Sequence, residues 1–343
     1  MYDAARAFVV AILPLAIGLA LDFIYPFHRG PLLTVHPVHT SYSMAMALAR
    51  RLNGRGRAGG AALWLAVVGS HVLLYGAALY AAGRLGVVAW IIVASYIVKV
   101  SMPVRLLLDQ VGSTGFHLEA GDLGRARSSA QGLVRRDLGT ADAGHVASAA
   151  LESLFESLVD AVTSPLLYYV LLGPMGALLQ RLTNTMDGAV GFRDPSIADV
   201  GWFSARMDTL INYVPARLTA LLEIASCAMC RGDVRGTIRA YSRYRGAVAS
   251  VNAGHPMSAA AGCLDVSLEK AGSYSLGEGA LPDPPAVRRG IELASATLIL
   301  AFALAAAALV PLAGSGWEPR TSAGDSRPRH DKLKLDTRAR ARR

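Results

Sequence analysis

Four stretches of this chain are apolar over a length that matches a hydrocarbon layer, and this restricts the fold more than any other feature. A helix needs about 20 apolar residues to cross a bilayer core, and only helices and closed barrels satisfy their backbone groups there. Residues 7–27, 61–82 and 291–313 meet that length. Residues 86–104 form a fourth candidate, joined to the second by Gly83, Arg84 and Leu85 alone, so these two read as a helical hairpin. Of 343 residues 53% are hydrophobic and 17% charged, the balance of a membrane protein. The expected fold is all-α: a polytopic integral membrane protein with about four to five transmembrane helices, a broken or re-entrant helix and amphipathic cytoplasmic helices.

The first segment reads as a retained anchor. Its apolar run is too long for a signal peptide, and no small-x-small cleavage site follows before Asp22 and Pro26. Between the first two segments, RRLNGRGRAGG (50–60) is rich in arginine and belongs on the cytoplasmic side. Its G-x-G-x-x-G (Gly54, Gly56, Gly59) follows no strand, so it is a flexible turn and not a dinucleotide fingerprint. Much of the net charge of +9 sits in residues 314–343, where nine Lys or Arg face four acids. Such a tail predicts disorder and contact with anionic lipid, and nothing in it indicates nucleic-acid binding. The chain divides into N-terminal membrane helices (1–104), a polar central region (105–290), a C-terminal transmembrane helix (291–313) and the basic tail (314–343).

Within the central region, Asp122–Val134 carries apolar residues at helical spacing and predicts an amphipathic surface helix, and Asp142 is placed to cap the next one. Residues 158–180 are long enough to span but contain Pro165 and the pair Gly173-Pro174. A full crossing would put the polar clusters on its two sides in different compartments. A broken or re-entrant segment would let them meet, and that arrangement is favoured.

Those clusters carry the chemistry. Glu152, Glu156 and Asp160 stand at i, i+4 and i+8, one stripe of a helix. Three like charges repel and call for a cation, either Mg²⁺, which takes one or two carboxylates plus substrate phosphates, or arginines such as Arg135 and Arg136. The second cluster lies between Arg181 and Arg217. There Asn184 and Asp187, and Asp208 and Asn212, are spaced to place oxygen ligands on shared helix faces, and Arg193, Arg206 and Arg217 suit phosphate or carboxylate. Acids, arginines and a membrane together suggest work on a phosphorylated or ATP-activated substrate. Three cysteines, Cys227, Cys230 and Cys263, make neither a disulfide framework nor a four-cysteine zinc site, and the C-x-x-C of Cys227 and Cys230 lies in an apolar helical run and not after a strand, so it reads as buried thiols and not as a redox pair.

In order along the chain, GDLGRARSSAQGLVRRDLGTAD (121–142), ALESLFESLVDAVTSPLLYYVLLG (150–173), NTMDGAVGFRD (184–194), GWFSARMDTLINYVPARLTA (201–220) and SVNAGHPMSAAAG (250–262) resemble the adenosylcobinamide-phosphate synthase family, CbiB/CobD, of cobalamin biosynthesis. LALDFIYP (19–26) and VHPVHT (35–40) are similar to its N-terminal motifs, so the resemblance runs from about residue 19 to 300. It departs from the family pattern at Ile24, Tyr25, Pro26, Ser157, Ala161 and Thr209.

The resemblance implies a multi-pass enzyme of the inner (cytoplasmic) membrane with its site facing the cytoplasm. It implies a carbon-nitrogen ligase that uses ATP and Mg²⁺ to join the free propionate of adenosylcobyric acid, a corrinoid, to 1-aminopropan-2-ol or its O-phosphate. Other late membrane enzymes of cobalamin biosynthesis are its implied neighbours. Glu152, Glu156 and Asp160 would serve metal binding or general-base catalysis, and Asp187 with Asn184 a second metal or the amine. Arg193, Arg206 and Arg217 would hold phosphate, with Asp208 and Asn212 orienting them. Asn252 and His255 would contact corrin amides or nucleotide. Trp202, Tyr213 and Phe192 suit interfacial anchoring more than stacking on the corrin, and His36 and His39 suit local hydrogen bonding more than cobalt ligation. Two other classes compete: a transporter with an intramembrane acidic site, for which the chain shows no internal repeat, and a lipid head-group phosphotransferase, whose D-x-x-D-G-x-x-A-R run is incomplete around Asp187.

Overall fold

The computed structural model describes residues 2–191 and 198–314. Phe192, Arg193 and the tail beyond Gly314 lie outside the described residues. The elements run α1 (Tyr2–Ile24), a 3₁₀ turn (Gly30–Val35), α2 (Pro37–Leu52), α3 (Gly56–Leu85), α4 (Val87–Ser101), α5 (Val104–Glu119), α6 (Leu123–Gln131) and α7 (Ala143–Leu158). A π turn (Val159–Thr163) then leads into α8 (Ser164–Leu172), α9 (Pro174–Val190), α10 (Ala198–Ile211), α11 (Tyr213–Met229), α12 (Val234–Tyr244) and α13 (Gly254–Leu264). A short antiparallel hairpin, β1 (Leu268–Lys270) and β2 (Tyr274–Leu276), precedes α14 (Pro284–Gly314).

The chain is an α-helical polytopic membrane protein. Four helical stretches among the described residues are long and apolar enough to cross a membrane: Gly56–Leu85, Val87–Glu119, Ala143–Leu172 and Pro284–Pro311. Phe8–Ile24 forms a shorter apolar helix. Large apolar side chains on these helices face outward, as at Leu73, Leu74, Val88, Ile299 and Val310, where the solvent is hydrocarbon. The inward positions pack into two apolar clusters, one around α7, α13 and α14 and one joining α2, α3, α4 and α9.

Two expected helix starts are present with their caps. The Asp122 side chain accepts from Arg125 N, and Asp142 accepts from His145 N at 2.8 Å. The stretch 158–180 breaks at a different place from the first of its prolines. Pro165 lies inside a continuous helix because the turn before it widens to π, with Ser164 N donating to Val159 O, so the missing proline N–H is absorbed locally. The break comes at Gly173, whose φ of +69° and ψ of −160° suit glycine, and Pro174 starts α9. α9 returns along α8. α10 runs into α11 through the single residue Asn212, which keeps a helical conformation, and this junction rests on α8, where Tyr168 Oη donates to Ile211 O at 3.0 Å. Gly60 lets α3 approach α10 closely, since a Cβ there would strike Val200 O.

The cysteines correct the expectation of buried thiols at Cys227 and Cys230. Cys227 at the end of α11 is joined to Cys263 of α13 by a disulfide, and Cys230 is exposed. Cys230 lies past the end of α11, where the chain turns through Arg231 at φ 59°, which takes it away from Cys227 and out to the surface.

Candidate functional site

The π turn that absorbs Pro165 also sets the direction of Asp160. One extra residue in the turn advances the helix face, and the Asp160 carboxylate meets the α10–α11 turn. There Asn212, buried to 2% exposure, donates from Nδ2 to Asp160 Oδ1 at 2.9 Å and to Asp208 Oδ1 at 3.0 Å. Its own Oδ1 accepts from Gln180 Nε2 at 3.2 Å. From α9, Asn184 Nδ2 reaches Asp208 Oδ1 at 3.3 Å, and its Oδ1 accepts from Arg181 at 3.3 Å. Two carboxylates from distant segments are therefore hung on one amide. Burial raises the Asp208 carboxyl above its usual range, and Asp187 adds to the effect.

Glu156, Asp160, Asp208, Asn212 and Asn252 line a narrow cleft of about 60 Å³. Glu156 is solvent-exposed within it, and its carboxylate makes no hydrogen bond among the described residues. At the cleft mouth, Arg217 donates to Tyr213 O at 2.7 Å and to Asn252 Oδ1 at 3.3 Å, and its guanidinium stacks on the Tyr213 ring. Asn252 Nδ2 donates in turn to Thr209 O at 2.9 Å, which ties the loop before α13 to α10. His255 is 8% exposed, with Nδ1 3.0 Å from Tyr241 Oη. Burial, then Arg217 and Arg245, lower its pKa to about 4, so the ring is neutral at neutral pH.

Glu152 stands apart from this cleft. Arg136 donates to both its oxygens at 2.8 Å, Ser148 donates to Oε1 at 2.7 Å, and Tyr274 of β2 donates to Oε2. Four donors occupy its lone pairs, which leaves none for a metal. Successive i+4 steps drift by about 40° on an ideal helix, so the Glu152, Glu156 and Asp160 stripe does not converge. Among the described residues no group of three or more His, Cys, Asp or Glu is arranged to hold a metal ion. This corrects the expectation of a three-carboxylate ligand set.

The remaining expected residues divide. Asp187 shares α9 with Asn184 but turns toward Arg135, which donates to Gly188 O at 3.0 Å, and burial raises its carboxyl. Arg206 is exposed and makes no hydrogen bond or ion pair among the described residues. Two residues from Asp208, it occupies the opposite face of α10. Arg57 lies over exposed Trp202, and Tyr213 carries Arg217, so neither ring is an open stacking surface. The N-terminal motifs pack beside α4: Asp22 Oδ2 accepts from Arg105 N at 2.7 Å, Lys99 Nζ lies 2.9 Å from His28 Nδ1, and the His28 and His36 rings meet edge to face at 4.4 Å. His39 is exposed.

Sequence reasoning missed Gln180, Arg181, Arg245 and Tyr274. Arg181 carried a usable signal, since it precedes Asn184 by three on one helix face. Tyr274 carried none, because its partner Glu152 is over a hundred residues away.

The model of the CobD/Cbib protein family matches residues 15–308. A "Probable cobalamin biosynthesis protein CobD" of Aeropyrum pernix is 48% identical over 305 residues, which cover 88% of this chain and 94% of the relative. The protein with the same name from Methanothermobacter thermautotrophicus is 35% identical over 302 residues, covering 88% and 98%. No solved structure matches.

Proposed function

The chain belongs to the CobD/Cbib family, and from that premise we propose that it works in cobalamin biosynthesis as an ATP-dependent carbon-nitrogen ligase of the cytoplasmic membrane. Its substrates in this reading are the free propionate of adenosylcobyric acid and 1-aminopropan-2-ol or its O-phosphate. The observation that carries the proposal is the meeting of Asp160, Asp208 and Asn212 from two distant segments beside the Arg217–Asn252 pair.

A carboxylate is a poor electrophile, so the propionate oxygen first attacks the γ-phosphorus of ATP and ADP leaves. The amine nitrogen then attacks the acyl carbon, inorganic phosphate leaves, and the ammonium proton passes to a carboxylate. Arg217 retains Nε and Nη2 for phosphate oxygens. Asn252 orients Arg217, and Asn212 holds the two aspartates in place. Among the described residues, Asp160 and Asp208 each have an oxygen that takes no hydrogen bond from the protein, and Glu156 has two. Mg²⁺ binds through one or two carboxylates plus phosphates, so the pair Asp160 and Asp208, brought together by Asn212, fits it as the residues that would hold it. Bound there, Mg²⁺ would neutralise charge on the transferring phosphoryl group. Glu152 supports the site by fixing α7 against the β hairpin.

The test is purified protein in lipid with adenosylcobyric acid, either amine, ATP and Mg²⁺, followed by mass spectrometry of the corrinoid. An amide-linked product with equimolar ADP is expected. No product with either amine would overturn the proposal.

A further inference from the structure

The basic loop before α3 and the outward face of α10 take no part in the chemistry above, and they meet. α10 runs beside α3 in the same direction: Gly60 packs on Val200, and the rings of Trp64 and Phe203 meet at 5.9 Å. Ala61 opens the apolar run of α3, so this contact marks the level at which the membrane begins. At that level Trp202 is exposed, and the Arg57 guanidinium lies over its ring, 4.6 Å from the centroid. Arg206 stands one turn farther along α10 on the same face, and exposed Leu210 one turn beyond that.

The charge of this patch is unbalanced. Arg50, Arg51, Arg55 and Arg57 are all exposed, and neither they nor Arg206 make a side-chain hydrogen bond or ion pair among the described residues. The acids of α10 are Asp199, in its first turn, and Asp208, which lines the cleft. Five guanidiniums therefore face one exposed carboxylate. Neither water nor hydrocarbon alone accounts for the stripe. Water gives Trp202 and Leu210 no reason to point outward, and hydrocarbon makes an unpaired Arg206 expensive. The bilayer interface meets both requirements, since tryptophan settles at headgroup level and a phosphate accepts forked hydrogen bonds from guanidiniums.

We propose that Arg57, Trp202 and Arg206 form a binding site for the phosphate headgroup of an anionic phospholipid, in the leaflet that borders the arginine-rich loop, with an acyl chain lying over Leu210. Arg57 and Arg206 flank the indole and take the phosphate oxygens. The other loop arginines favour a lipid of net negative charge over a zwitterionic one. The bound lipid braces the outward face of the helix whose inward face carries Asp208.

The test places the full chain in phosphatidylcholine vesicles and adds lipids brominated on their acyl chains, which quench tryptophan fluorescence on contact. The difference between wild type and Trp202→Phe isolates the Trp202 signal. Brominated phosphatidylglycerol and brominated phosphatidylcholine are compared at equal mole fraction. One arginine near the surface is worth about fivefold in affinity for an anionic lipid, so two should give phosphatidylglycerol about a 30-fold preference at Trp202. Salt at about 1 M should weaken that preference. Arg57→Gln with Arg206→Gln, both exposed and free of structural partners, should abolish it, and Arg84→Gln at the far end of α3 should not. Soluble glycerol phosphate carries the headgroup charge without a chain and should not displace the brominated lipid. Equal quenching by the two lipids, a preference that survives the double variant, or displacement by glycerol phosphate overturns the proposal. Quenching is read without substrates, so its outcome is separate from that of the ligase reading.

Discussion

Glu152 and Asp160 are eight residues apart along nearly one helix, and their neighbours give them different work. Glu152 is 3% exposed and bound by Arg136, Ser148 and Tyr274, so removing it strands a largely buried guanidinium. Glu152→Ala should lower unfolding stability by about 3–5 kcal/mol, read as a fall in melting temperature. Arg136→Met in the same chain should recover much of the loss. Asp208 has the opposite profile. Asp208→Asn keeps a side chain of the same shape beside Asn184 and Asn212, so melting should change little while kcat falls by about 100-fold or more, measured as the rate of amide formation at saturating substrates. His255 supplies a pH test. Its folded pKa of about 4 lies below the unfolded value near 6.5, so the unfolded state binds more protons between those limits. Its contribution is complete above about pH 6.5 and is lost as pH falls toward 4. His255→Gln should flatten the slope of melting temperature with pH in that window, and an unchanged slope would show that another group sets it.

At the scale of elements, the disulfide links the two helices that carry the cleft mouth. α11 brings Arg217 and α13 follows Asn252, and Cys227–Cys263 closes a loop of 36 residues between them. Chain-entropy arguments put such a closure at about 3–4 kcal/mol. Cys263→Ser, or reductant on wild type, should lower the melting temperature accordingly and raise KM for ATP as the Arg217–Asn252 pair loosens. Cys230→Ser should do neither. The capped starts of α6 and α7 were legible because an N-cap is a local match between a carboxylate and backbone amides three residues away. The π turn was not. Pro165 announced a disturbed helix, but whether the disturbance becomes a break or a widened turn depends on packing of α8 against α9 and α11, which no local pattern records. The disulfide was likewise hidden, since its half-cystines pair by the approach of α11 and α13 and not by spacing.

Across the whole molecule, the membrane class and the approximate spans were legible from apolar length, because a hydrocarbon layer imposes one dimension on any helix that crosses it. The meeting of the two polar clusters was only suggested, and its physical basis is the fold-back at Gly173-Pro174 that returns Asn184 to a cavity wall it shares with Asp160. That fold-back also orients the protein. A Cβ on Gly76 would lie 3.8 Å from Met175 Cε, so the Gly173 turn sits toward the Gly86 end of α3. The other end of α3 follows Arg50, Arg51, Arg55 and Arg57 and packs on Val200. Arginine-rich short loops stay in the cytoplasm, so Gly86 and Gly173 should face the opposite compartment, with the Glu152 clamp and the cleft opening toward cytoplasmic ATP. In a Cys230→Ser background, a membrane-impermeant maleimide applied to intact cells should label Arg84→Cys and spare Arg55→Cys, and inverted vesicles should reverse the pattern. The opposite labelling would place the carboxylates and Arg217 on the side without ATP, and a ligase that draws on that nucleotide could not work in that orientation.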